Sequence, residues 1–170
     1  KLLWESHRDH IGAPQVWSSK LPVAWHNSTW IADRAIDFIK QDHDKPFCMW
    51  VSFPDPHHPF DCPEPWASLH RPEEVDLPEH RMRDLEGRPW WHKAAVETKI
   101  EGKGAEIRTS YSRYPEIPDE HLREVIANTY GQLSLIDHSV GRIITELEAQ
   151  GLADHTQIVY TADHGARLGD

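Results

Sequence analysis

Two short stretches combine residue types that hold metals or move protons. Thr161-Ala162-Asp163-His164-Gly165 sets a carboxylate beside an imidazole, a hard and a borderline ligand suited to a divalent cation. Adjacent residues on a regular strand point to opposite faces, so both reach one ion only where the chain turns. Gly165 supplies the freedom to turn. The simpler alternative is a strand-end Asp capping a turn beside a surface His, and the dipeptide taken alone favours that alternative. The second stretch is Pro54-Asp55-Pro56-His57-His58-Pro59-Phe60. Its prolines stiffen the backbone and hold an imidazole in place. A fixed His beside a metal binds an anion or protonates a leaving group near neutral pH. A rigid turn with solvent-facing histidines describes the stretch equally well.

The remaining candidates take plainer roles. Asp137 and His138 lie within a helical stripe and read as a polar contact. His26 precedes a helix and reads as loop surface more than as site. His70, His80, His92 and His121 lack ligand spacing. Trp90-Trp91 reads as packing, not as a stacking platform. Nucleotide-cradling glycine loops and the esterase G-x-S-x-G elbow are absent from the sequence. Cys48 and Cys62 are too few for a disulfide scaffold and form no C-x-x-C pair.

These stretches need elements to hold them. Residues 1–28 read as loop, broken by Pro14 and Pro22. Ser28 is the expected N-cap of a helix over 29–41, with Ile31, Ala35, Phe38 and Ile39 on one face. Residues 47–53 (FCMWVSF) follow as a short buried strand of the kind found in parallel sheets. Prolines then recur from Pro54 to Pro118, marking a long and mostly irregular excursion with a short helix near 91–99. Asp119 is the expected cap of a long helix whose stripe runs from Leu122 to Leu147, with Gly151 as its stop. Gly131 and Gly141 interrupt that stripe and mark a kink or a close approach to the sheet. Residues 157–162 (QIVYTA) read as a second buried strand, ending in the Asp163-His164 pair. Both chemical stretches thus fall at carboxyl ends of strands, where open α/β sheets place their ligands.

Composition narrows the field. With 170 residues the chain suffices for one core, and its 8 Trp, 4 Tyr and 4 Phe demand burial, which argues against disorder. A net charge of −10 is the reverse of a nucleic-acid footprint. No apolar run is long enough for a membrane span.

Taken in order, three stretches resemble the sulfatase family of the alkaline-phosphatase superfamily. They are Trp30 to Ile39 with Pro46-Phe47, Ser52 to Phe60, and Tyr130-Gly131 through Val140-Gly141-Arg142 to Thr161-Ala162-Asp163-His164-Gly165. The likeness covers roughly 20–70 and 119–170, with variable loop between. It implies an α/β layered fold, a mainly parallel sheet flanked by helices with a loop insertion over 54–118, of which residues 1–170 form an internal fragment. It implies hydrolysis of sulfate esters, a small anionic ester as substrate, and no nucleic-acid or membrane partner. By motif position Asp163 and His164 become metal ligands, for Ca²⁺ first and for Mn²⁺ or Mg²⁺ as alternatives. His57 becomes the catalytic and substrate-binding histidine. The family's nucleophile is a formylglycine hydrate made within a C/S-x-P-x-R motif.

This sequence departs from the family there. Cys62 is followed by Pro63-Glu64-Pro65 with no Arg at the fifth place, and after Ser52-Phe53-Pro54 the Arg place holds Pro56. The nucleophile is therefore expected outside this segment, and the segment alone is expected to be inactive. A phosphonate monoester or phosphodiester hydrolase of the same fold, and a noncatalytic paralogue, are the alternatives. Compartment and a homo-oligomeric state stay open.

Overall fold

The computed structural model describes residues 16–78, 87–97, 117–166 and 168. The long helix is the spine. This helix (α3, Asp119–Ala149) buries Leu122, Val125, Ile126, Thr129, Gln132, Leu135, Ile136, Ser139, Ile143 and Leu147, the three- and four-residue spacing of one helical face. Pro118 occupies the cap position, one residue earlier than the expected Asp119, which instead places its carboxylate in the first turn. Gly151, at φ +66°, ends the helix as expected.

Helix α1 (Asn27–Ile39) lies against the C-terminal half of α3. Ala32, Ala35, Ile36 and Ile39 meet Ile143 and Leu147 in one core cluster. Arg142 donates to Asp33 at 2.6 Å and Lys40 approaches Glu146 at 3.5 Å along the edge of that contact. The N-terminal half of α3 covers a small parallel sheet of β1 (Val16–Ser19) and β2 (Phe60–Pro63), paired from Val16↔Phe60 to Ser19↔Pro63. Val16, Phe60 and Val125 form the cluster beneath it. A third cluster joins Val75 and Ile117 to Leu122, Ile126 and Ala127. Among the described residues, no helix is long and apolar enough to cross a membrane.

The helices and the parallel pairing agree with the layered α/β reading. Several element expectations are corrected. Residues 1–28 are not all loop, since β1 lies within them; a strand of four residues carries too little periodicity to register. The expected strands at 47–53 and 157–162 make no ladder with any described residue. In 47–53 the side chains still alternate strictly between half-buried and exposed, with Met49, Val51 and Phe53 packed on the first core cluster. Periodicity reports which face a side chain sees, whereas strand status requires a partner for the backbone amides.

The part of the insertion over 60–74 holds β2 and 3₁₀ turns at Trp66–Ser68 and Pro72–Glu74, regular structure that its prolines did not suggest. Its short helix α2 (Trp90–Glu97) is present, but Trp90 and Trp91 are exposed and touch each other edge to face at 6.0 Å, not a core. The expected end of that helix near 99, and His80, lie outside the described residues.

Candidate functional site

The loop 54–60 is built as a tight turn on the end of segment 47–53. The His57 amide donates to the Pro54 carbonyl at 3.1 Å. His57 Nδ1 lies 2.6 Å from the His58 carbonyl. A carbonyl only accepts, so Nδ1 carries the proton and Nε2 is the free position of that ring. The His57 and His58 rings stack at 4.1 Å between centroids. Burial, and then the neighbouring His57, hold His58 below the ordinary imidazole value. Exposed His57 faces the cleft.

The Asp163-His164 pair lines the same cleft. The Asp163 Oδ1 accepts from the His164 amide at 2.8 Å, and its Oδ2 lies 3.6 Å from His164 Nε2. His164 Nδ1 lies 3.0 Å from the Gly165 carbonyl and so carries the proton. That tautomer leaves Nε2 as a lone-pair donor while Nδ1–H is held by a carbonyl, the tautomer that metal-ligating histidines use. The pair is bent together by these local bonds and not by a left-handed glycine: Gly87 and Gly151 are the glycines at positive φ among the described residues, and Gly165 is not. The expected role of Gly165 is corrected accordingly.

His57, Asp163 and His164 therefore line one open cleft of about 3380 Å³, together with segments 47–53 and 157–162. Among the described residues, no hydrogen bond or ion pair links His57 to Asp163 or His164. Nor do three His, Cys, Asp or Glu side chains converge there on a point that would hold a metal. By donor chemistry a carboxylate and an imidazole suit a divalent cation, and two such side chains are fewer ligands than the ion takes.

Sequence reasoning passed over a buried cluster next to the histidine loop. His26 is 6% exposed and caps α1, its Nδ1 accepting from the Ser28 amide at 3.3 Å. Ser28 is thereby freed from the cap role expected of it, and its Oγ donates to Asp55. Asp61 is held above its ordinary carboxyl value chiefly by burial, with His26 opposing and Asp55 adding to the shift. Burial and the Asp55, Glu64 and Asp61 carboxylates push the Cys62 thiol up to about 12. The available signal was an Asp between two prolines, a position where a free loop gains little from a carboxylate. His70 bonds Ser134 at 3.0 Å, and His138 packs on the Trp66 ring at 5.2 Å, a ring contact where a polar one was expected.

A parallel strand pair with a long helix on its face is a piece of an α/β layered fold, and its cleft is lined by both a carboxylate-imidazole pair and a histidine turn. Residues 9–170 match the Sulfatase family, and the chain belongs to the sulfatase family. It is 32% identical to an arylsulfatase of Clostridium perfringens over 85% of this chain and 27% of that protein. It is 26% identical to the multifunctional alkaline phosphatase superfamily protein PehA of Trinickia caryophylli, over 89% of this chain and 30% of that protein. With the iduronate 2-sulfatase of Homo sapiens the figures are 28%, 74% and 22%. The chain thus spans less than a third of the length of these curated relatives.

Proposed function

We propose that this chain supplies part of the active site of a sulfuric ester hydrolase acting on small anionic sulfate esters. The observation that carries the reading is the family match together with His57 and the Asp163-His164 pair lining one cleft. Asp163 and His164 would hold a divalent cation, with Ca²⁺ the first expectation. Such an ion neutralises an anionic ester and stabilises charge that develops during cleavage. His57 binds the ester group or, as the imidazolium with a proton on each nitrogen, gives the one on Nε2 to the leaving oxygen. Its Nδ1–H bond to the His58 carbonyl keeps that nitrogen out of the reaction.

Neither cysteine serves as nucleophile. Cys62 is buried and its thiol, near 12, stays protonated at neutral pH, and Cys48 lies in no C/S-x-P-x-R motif. We therefore place the formylglycine outside these residues, and this chain by itself is inactive.

The test is Asp163→Ala in the complete protein, with bound metal measured by elemental analysis and turnover of an aryl sulfate. Loss of the ion and a fall of at least about 100-fold in kcat are expected; unchanged turnover overturns the reading. A faster rate on an aryl phosphonate than on the aryl sulfate would move the substrate class to phosphonate esters.

A further inference from the structure

The buried polar cluster at the start of α1 is used neither by the metal pair nor by His57 itself. Ser28 is fully buried and gives its hydroxyl proton to Asp55 Oδ2. The Asp55 side chain keeps only 10% of its surface exposed, and His26 Nδ1 lies 3.8 Å from the same oxygen. The His26 nitrogen that accepts from the Ser28 amide has no proton for Asp55, so it secures the helix start from which Ser28 reaches the loop. From α3, fully buried Gln132 donates to the Pro59 carbonyl at 3.4 Å. Residues 55 and 59 are thus each held by a buried side chain from a different helix, and His57 lies between them.

Burying a carboxylate and a hydroxyl costs free energy that their mutual hydrogen bond only partly offsets. A connection whose sole task was to join 47–53 to β2 has no need of that arrangement. We propose that His26, Ser28 and Asp55, with Gln132 from α3, are positioning residues that hold His57 Nε2 at the cleft. The proposal rests on the reading of His57 as a group that touches the substrate.

The experiment is a mutant cycle in the complete protein, read as kcat and KM on an aryl sulfate alongside thermal unfolding. Ser28→Ala and Asp55→Ala are each expected to lower kcat by about 10- to 100-fold, the scale of a displacement near 1 Å, with KM moving much less. Asp55→Asn keeps an oxygen that accepts from Ser28 and is expected to recover most of the loss seen in Asp55→Ala. In a His57→Ala background, Ser28→Ala is expected to cost nothing further, because it acts through His57. Losses that multiply in the double variant overturn the positioning role while leaving the function standing. Full turnover in His57→Ala overturns the functional reading itself. Should an alanine variant fail to fold, Asp55→Asn crossed with His57→Ala decides by the same rule.

Discussion

Two histidines show how a local bond selects chemistry. His57 and His164 both place Nδ1 against a backbone carbonyl, at 2.6 and 3.0 Å, so each presents Nε2 outward. The two cysteines show the opposite effect of environment. Cys48 is exposed, whereas Cys62 is buried among carboxylates with its thiol raised from 9.0 to about 12. Alkylation at pH 8 followed by mass spectrometry is expected to label Cys48 readily and Cys62 only on unfolding; equal labelling would contradict the packing of β2 under α3. The same shift makes a stability statement. A thiol whose value rises on folding contributes fully below its unfolded value of 9.0 and loses that contribution as pH climbs toward 12. Unfolding midpoints are therefore expected to fall across that alkaline range, and Cys62→Ser, which removes the thiol, is expected to flatten the fall.

Between elements, α3 passes close to β2 and to the Trp66–Ser68 turn at Gly131. A Cβ on Gly131 would lie 2.6 Å from the Trp66 carbonyl oxygen and 3.0 Å from Cys62 Sγ, whereas one on Gly141 would meet nothing within 4 Å. Alanine is better than glycine in a helix by about 1 kcal/mol. Gly141→Ala is accordingly expected to stabilise by about that amount. Gly131→Ala is expected to destabilise by about 1–3 kcal/mol, because the clash with fixed backbone outweighs the propensity gain. Urea unfolding of the pair checks both signs. Ile39 is 1% exposed and sits where α1 meets Ile143 and Leu147. Its replacement by Ala is expected to cost about 2–5 kcal/mol, with loss of the α1–α3 contact.

For the whole molecule, the cleft is the deciding feature. At about 3380 Å³ it exceeds the few hundred to about 1,000 Å³ of a small-ligand pocket, and Trp50, Val159 and Tyr160 beside it are 74–85% exposed. Produced alone, the chain is expected to bind a hydrophobic fluorophore such as ANS strongly, and the complete protein weakly; equal weak binding would contradict the exposed face. Much was legible beforehand. Helix α3 and its glycine stop, the core of α1 and the two chemical stretches follow from spacing that any aqueous environment enforces. Residue order alone set a carboxylate beside an imidazole at 163–164 and a histidine between prolines at 57. Backbone pairing was not legible, since the apolar runs at 47–53 and 157–162 state a preference for burial but name no partner strand. Nor was the link of Ser28 and Asp55, which lie 27 residues apart, or that of Gln132 and Pro59, 73 apart. Local sequence determined which groups can do chemistry here. Only the tertiary structure decided which of them face one cleft and which buried side chains hold them there, because long-range contacts depend on packing that no short window of residues contains.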